Sequence, residues 1–288
     1  MLEFIITQEQ KNMNINNITV HTLVKNEEKW IWFSIMSVIN FVDKLIIFDT
    51  GSTDSTVQII KDILKNEEYA KKISFEEKGS ISTDKFSLLR QEQIDKTNTD
   101  WFLVLDGDEI WYEEDIKRVV SIIQNTTKKM LAIRFHNCTK DIFHYSKFES
   151  GSYNIKGVIG NITLKLIYKN ISGLAAIGPY GNEGYYDISG NPIQNSENDI
   201  QIIDGFFLHT SNLVRSRNLY FDWKIPYRRV KVFSKVESKV DTNFVFPEVF
   251  YVERPKIVYN PFQKASILYY FFMFLLQPIR IYNYLRRL

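Results

Sequence analysis

The sequence predicts an α/β fold: a mixed open sheet flanked by helices, followed by a helical, aromatic-rich C-terminal extension. Three observations carry this. Apolar, β-branched runs alternate with amphipathic segments four times within about 120 residues, the pattern of strands joined by helical crossovers. Two of the runs, Lys44–Asp49 and Trp101–Leu105, are almost unbroken in apolar character, as strands covered on both faces must be. Beyond residue 140 the alternation gives way to short β-rich runs among Gly and Asn.

The elements follow in order. Ile18–Val24 is a β-branched strand and Glu28–Asn40 a helix with apolar residues at helical spacing. Lys44–Asp49 is the second strand. Ser52, Thr53 and Asp54 offer caps for a helix over Ser55–Asn66, where Val57, Ile60, Ile63 and Leu64 share one face. Lys72–Phe75 reads as a weak strand, Lys85–Lys96 as a helix and Trp101–Leu105 as a buried strand. Glu113–Asn125 is a helix, and Met130–Phe135 a further strand. The second half, including Ile162–Tyr168 and Ile200–Leu208, should add antiparallel strands to the same sheet. This divides the chain into an arm (1–17), a main domain (18–235, with halves 18–140 and 141–235) and an extension (236–288).

Composition excludes several classes. The 288 residues are 44% hydrophobic and 15% aromatic, enough to bury a sizeable core rather than stay disordered. A single cysteine, Cys138, allows neither an internal disulfide nor a thiolate zinc site, which favours a reducing, cytoplasmic setting. No basic-then-apolar leader opens the chain, so a cleaved signal peptide is not expected. The net charge is +2, yet six basic residues and no acid lie from Arg254 onward. The first 253 residues therefore carry 30 basic against 34 acidic groups. An acidic body with a basic end is not the distribution of a nucleic-acid binder.

Ligands of open α/β sheets sit outside the carboxyl ends of the strands, so the segments after Val24, Asp49 and Leu105 hold the candidate chemistry. Asp106-Gly107-Asp108-Glu109 follows a buried strand. Two carboxylates separated by one glycine repel each other unless a cation relieves them, and hard oxygen ligands suit Mg²⁺ or Mn²⁺. A solvated acidic turn is the plainer account, weakened by the buried strand ahead of it. Asp49, at the end of another buried strand, is costly without a partner; a nucleoside offers ribose hydroxyls or a base N–H. A capped turn accounts for Ser52, Thr53 and Asp54 without any ligand. Lys25-Asn26-Glu27-Glu28 follows the first strand, where Glu28 could be the first-turn acid of the next helix.

In this order, Thr22–Glu28 (TLVKNEE), Ile46–Thr56 (IIFDTGSTDST), Asp84-Lys85-Phe86-Ser87 with Arg90, and Asp106–Glu109 (DGDE) resemble glycosyltransferase family 2, the inverting nucleotide-sugar transferases of the GT-A (Rossmann-like) fold, from about Thr19 to His209. The resemblance implies that Thr22, Leu23 and Glu27 line a nucleoside pocket with Asp49 on the base or ribose. It implies that Asp84 and Arg90 flank the diphosphate and steady the acidic loop, that Asp106 and Gly107 contact the ribose or metal-bound water, and that Asp106, Asp108 and His209 surround the metal. Without the family, Arg90 reads as a solvated helix arginine, Asp84 as a helix N-cap and His209 as a structural histidine. The family's later His-Glu pair reads Asn182-Glu183 here. That makes Glu183 the candidate catalytic base, with Asp187 its rival.

The implied donor is a nucleotide sugar, most simply a UDP-sugar, and the implied acceptor is glycan, lipid-linked or protein. A sugar-1-phosphate nucleotidyltransferase would show a Gly-rich basic loop after the first strand, absent here. A sugar-nucleotide binder that has lost its base is the other rival, kept open by Asn182. Arg215, Arg217, Lys224, Arg228, Arg229, Lys231 and Lys235, opposed only by Asp222, could close over a diphosphate or form a solvated helix face. The run Ala265–Leu276 would span about 18 Å as a helix, short of a bilayer core of ~30 Å. With Arg280, Arg286 and Arg287, the segment Ala265–Leu288 reads as an interfacial anchor on an anionic membrane, or as helices packed on the body or a partner.

Overall fold

The structure, a computed structural model, describes residues 17–216, 237–241 and 243–264. Residues 1–16, the cations from Arg217 to Lys235 and the tail Ala265–Leu288 lie outside the described residues. The first half runs β1 (Ile18–Val24), α1 (Ile31–Val38), β2 (Lys44–Asp49), α2 (Thr56–Ile63), α3 (Glu67–Lys72), β3 (Ile73–Glu77), α4 (Phe86–Asp95), β4 (Trp101–Val104), β5 (Glu109–Trp111), α5 (Glu113–Ile123) and β6 (Met130–Asn137). The second half adds β7 (His144–Ser146), β8 (Tyr153–Ile155), β9 (Val158–Gly160), β10 (Ile162–Tyr168), β11 (Ala175–Ile177), β12 (Gly184–Tyr186), β13 (Ile200–His209) and β14 (Glu237–Lys239).

Eight strands form one sheet in the order β3-β2-β1-β4-β10-β6-β13-β5. The four strands β3, β2, β1 and β4 are mutually parallel. β10 runs antiparallel to both β4 and β6, and β5 antiparallel to β13. Contrary to expectation, β13 pairs parallel with β6, so the second half is not purely antiparallel. The alternation of side chains explains the layers. Leu45 and Ile47 of β2 join a large core with Ile31, Phe33 and Ile35 of α1 and Ile59, Ile60 and Ile63 of α2. Ile46 and Phe48 point the other way, onto Phe86 and Leu89 of α4.

Two local differences have clear causes. The amphipathic run expected to reach Asn66 ends at Ile63, because the Asn66 side chain accepts from the amides of Glu68 and Tyr69 and starts α3. Lys72 of α3 then donates to the carbonyls of Ile39 and Val42, just beyond α1. The described part of the extension, residues 237–241 and 243–264, contains β14 and a 3₁₀ turn (Glu248–Phe250) and no α-helix. Its aromatic character is present: Phe250 meets Phe33 edge-on at 5.1 Å and Tyr259 meets Trp30 at 5.8 Å. No helix among the described residues is long and apolar enough to cross a membrane.

Two histidines are held neutral by packing. His21 is buried, stacked on Phe102 at 4.5 Å and within 2.6 Å of the Thr97 hydroxyl. Burial, then the charges of Arg90 and Lys169, push its pKa well below the usual histidine value. His136 stacks on Phe206 at 4.4 Å, and burial brings it down to about 4. Such a group contributes stability that is complete above its unfolded pKa of about 6.5 and lost as pH falls toward its folded value. His136→Phe should therefore remove part of the acid-side loss. Measured by urea unfolding, the wild-type stability minus that of the variant should decline between about pH 6.5 and 4, with a slope of at most about 1.4 kcal/mol per unit. A pH-independent difference would contradict this assignment.

Candidate active site

The parallel register puts Val24 of β1 level with Asp49 of β2, and His21 of β1 level with Val104 of β4. The loops after β1, β2 and β4 thus open side by side at the carboxyl edge, where β1 separates strands placed on either side of it. The first two are laced together by short polar bonds. The Asn26 amide donates to the Ser52 hydroxyl at 2.9 Å, and the Thr53 amide to the Asn26 side chain at 2.8 Å. Asp54 accepts from the Thr56 amide at 3.0 Å and so starts α2, while Glu28, expected in the first turn of α1, lies before that helix and accepts from the Ser55 amide.

Asp49 is buried. One of its oxygens, Oδ2, accepts from the amides of Gly51 and Ser52, both at 2.9 Å, in a turn that Gly51 closes at φ 91°. A Cβ at Gly51 would lie 2.9 Å from the Ser80 amide nitrogen. The other oxygen, Oδ1, is buried with no hydrogen-bond partner, as is the Thr22 hydroxyl. Leu23 is committed to packing with Ile46, Phe48, Phe86 and Leu89. Glu27 is also engaged: Arg215 binds its carboxylate, and its amide donates to the Thr56 hydroxyl at 2.8 Å.

The acidic turn is held tightly. The Glu109 amide donates to the Asp106 carbonyl at 3.1 Å, and the Asp106 amide returns to Glu109 Oε2 at 3.2 Å. Ser34 binds the Asp106 carbonyl at 3.0 Å, and Thr210 binds the Asp108 carbonyl through both its amide and its hydroxyl. Gly107 lets this turn approach the β1 loop, since a Cβ there would stand 3.1 Å from side-chain carbons of both Val24 and Glu27.

The carboxylates have separate cations. Arg90 on α4 is buried and not solvated; it reaches Asp106 at 3.1 Å and also donates to the His21 carbonyl. Asp108 Oδ1 stands 3.6 Å from His209 Nε2. Burial would raise the Asp108 carboxyl, but the nearby His209, with Arg215 and Lys165, holds it at about 2. Burial likewise lowers His209, while Asp108 outweighs it and raises the imidazole overall. Lys165 of β10 pairs with Glu109 at 2.6 Å.

The three-residue metal set expected from the sequence is not assembled. Asp106 is taken by Arg90, and among the described residues no three His, Cys, Asp or Glu side chains converge as metal ligands. Asp108 and His209 remain as a facing pair, and His209 Nδ1 is buried without a partner. One or two protein ligands completed by substrate phosphates is the usual arrangement for Mg²⁺, so the residues present fit a divalent ion shared with a diphosphate.

The hairpin of β11 and β12 overhangs this corner. It docks on α4 through the Ala176 amide and Gln91, and on the Asp84 turn through the Tyr180 amide, which donates to the Thr83 carbonyl at 2.8 Å. Asp84 is exposed in that 3₁₀ turn and is not the N-cap of α4, a position held by Lys85. Partial burial raises the Tyr180 phenol, and Asp106, Asp108 and Glu183 raise it further against Arg215. The Glu183 carboxylate accepts the Gly181 amide. Asp187 is occupied differently: its Oδ1 accepts from the amides of Ser189 and Asn191 and closes the turn after β12. Residue patterns gave no role to Tyr180, Lys165 or Gln93. Gln93 is buried and donates to the carbonyls of Thr22 and Ile46. Lys165 carried one visible signal, a lone cation in an apolar strand run.

An open sheet whose carboxyl edge gathers an acidic turn places the chain among α/β proteins with their site at that edge. Residues 19–178 match the family described as Glycosyl transferase family 2. The chain belongs to that family and carries a glycosyltransferase domain of GT-A fold. No curated protein matches. Solved structures similar to it include TarS 1–349 of S. aureus, at 15% identity over 76% of this chain and 66% of that one, with a TM-score of 0.44. Glucosyl-3-phosphoglycerate synthase from Mycobacterium tuberculosis, in complex with Mn²⁺ and UDP, is 14% identical over 75% of this chain and 77% of that one, with a TM-score of 0.44. The mannosyltransferase PcManGT from Pyrobaculum calidifontis is 13% identical over 76% and 63%, with a TM-score of 0.43. The chain spans 39% of a longer TarS structure.

Arg90→Met should leave the Asp106 carboxylate without its cation and weaken a buried hydrogen-bond set. Loss of such bonds costs about 1–3 kcal/mol, read as a lower urea midpoint at unchanged slope. An unaltered midpoint would mean that Arg90 does not hold the turn.

Proposed function

We propose that this protein is a metal-dependent, inverting glycosyltransferase that moves a sugar from a nucleotide-sugar donor to an acceptor hydroxyl in glycan or glycoconjugate assembly, with UDP as the donor nucleotide. The observation that carries this reading is the shared sheet edge: the buried, unpartnered Asp49 Oδ1 and Thr22 hydroxyl belong to β2 and β1, and β1 also pairs with β4, whose loop carries the acids of the Arg90–Asp106 and Asp108–His209 pairs. A buried carboxylate oxygen with no partner is costly, and the N–H of a uracil or a ribose hydroxyl would satisfy it. Asp106 then faces the ribose or metal-bound water, and Arg90 steadies Asp106 and the diphosphate. When bound through Asp108 and His209, a divalent ion supplies positive charge against the departing diphosphate.

In the transfer, the acceptor oxygen attacks the anomeric carbon from the side opposite the nucleoside diphosphate. A new C–O bond forms as the bond to the phosphate oxygen breaks, and the acceptor proton passes to a carboxylate. Glu183 is that carboxylate in this reading. It sits in the β11–β12 hairpin whose Tyr180 amide docks on the Thr83 carbonyl, whereas Asp187 Oδ1 accepts two amides of the turn after β12. The acceptor is a glycan, a lipid-linked saccharide or a protein side chain. The setting is cytoplasmic, with Ala265–Leu288 holding the enzyme at the inner face of an anionic membrane.

A thermal-shift panel of nucleoside diphosphates and nucleotide sugars, with and without Mn²⁺, tests the donor, since a ligand of the native state raises the melting point. UDP with Mn²⁺ should give the largest shift, and equal shifts for all nucleotides would reject the choice. Glu183→Gln should lower transfer by about 10²–10⁴-fold while keeping the UDP shift, and Asp187→Asn should spare transfer. Full activity of Glu183→Gln would remove it as the base. Binding of UDP and Mn²⁺ without any turnover by the wild type would mark a sugar-nucleotide binder instead.

Deleting residues 265–288 should abolish co-sedimentation with anionic vesicles and leave donor hydrolysis intact. Unfolding of the shortened protein would assign the segment to packing on the body.

A further inference from the structure

Lys165 is the least expected charge in the sheet. β10 pairs with β6 in register up to Leu164 and again from Leu166, and Lys165 is the extra residue of the bulge between them. A bulge re-aims a side chain relative to its strand. Here it brings Lys165 Nζ within 2.6 Å of Glu109 Oε2, with the two side chains only 5% and 3% exposed, and 5.3 Å above the Phe207 ring. Glu109 stands directly opposite His209 in the antiparallel β5–β13 pair, so both side chains leave the same face of the sheet. Asp108 is its chain neighbour and faces His209 at 3.6 Å. A third carboxylate therefore sits beside the corner where Asp108 and His209 meet. Its Oε2 also accepts the Asp106 amide at 3.2 Å, a neutral donor, so without Lys165 its charge is uncompensated and it is a hard oxygen ligand like the other two acids of the turn.

We propose that Lys165 is a positioning residue that withholds Glu109 from a divalent ion, so that the corner offers Asp108 and His209 alone and leaves the remaining coordination positions to the diphosphate of the substrate. This rests on the metal-dependent reading above. A corner with an added carboxylate binds the ion by itself, because ligand charge and number set affinity. A corner of two ligands binds it well only with the phosphates, so ion and nucleotide strengthen each other's binding reciprocally. Lys165 thus ties metal retention to the presence of donor.

The test is calorimetric titration of Mn²⁺ into the full chain, with and without saturating UDP. In the wild type, UDP should tighten Mn²⁺ by about tenfold or more. In Lys165→Met, Mn²⁺ alone should bind about tenfold tighter than in wild type and the gain from UDP should largely vanish. The double variant Lys165→Met, Glu109→Gln removes both charges at similar volume, a change that buried pairs tolerate, and it should regain the wild-type coupling. A folded Lys165→Met with unchanged or weaker Mn²⁺ binding overturns the proposal. So does a double variant without coupling, which decides the matter even where Lys165→Met fails to fold. Absence of Mn²⁺ binding by wild type, with or without UDP, instead removes the metal-dependent reading and the proposal with it.

Discussion

Four carboxylates, those of Glu27, Asp106, Asp108 and Glu109, meet at the carboxyl ends of β1 and β4, and three of these residues are almost fully buried. Unpaired charges in such a place are prohibitively costly. Each is held by its own cation: Arg215 for Glu27, Arg90 for Asp106, His209 for Asp108 and Lys165 for Glu109. The cations come from α4, the bulge of β10, the end of β13 and the segment just after β13. The first half of the chain supplies the acids and only one of their partners. The corner is therefore neutralised only once the second half has joined the sheet.

That dependence explains the order of strands. β10 lies between β4 and β6, placing Lys165 beneath the turn that follows β4. β13 lies between β6 and β5, so that His209 ends directly opposite Glu109. The chain then returns to the β1 loop, where the Lys29 amide donates to the Arg215 carbonyl at 3.0 Å and the Trp30 indole to the Val214 carbonyl at 3.2 Å. Gly107 makes the close approach possible, because any side chain there would press on Val24 and Glu27. The reactive edge is thus a charge-balanced junction of distant segments, with the β11–β12 hairpin fastened over it by Gln91 and Thr83.

Legibility in the sequence followed the range of the interactions. Periodicity reports burial of one face, and that is local, so β1 and β2 stand where the apolar runs placed them and β4 ends one residue early. The capping Asn66 was equally local but hidden inside a longer amphipathic run. The parallel pairing of β13 with β6 could not be read, since strand direction depends on how the intervening chain returns and leaves no trace in the alternation. Among site residues, the acids showed themselves because carboxylates after buried strands are anomalous. Of their partners, Arg90 and His209 stood out through the family resemblance, which put Arg90 against the acidic loop, while Lys165 and Arg215 were not assigned to any carboxylate. Asp84 read equally as the cap of a helix that Lys85 begins.

The sequence by itself determined the α/β class, most strand and helix cores, the family and the three loops that carry the acids, because these depend on composition and spacing over a few residues. Tertiary structure alone decided that Asp106 goes to Arg90 and away from the Asp108–His209 pair, that Lys165 meets Glu109, and that Asp187 Oδ1 closes the turn after β12. The physical reason is that Coulomb energy and hydrogen bonding act through a few ångströms of space, and those distances are set by a β-bulge, a register and a returning chain that no window of sequence contains.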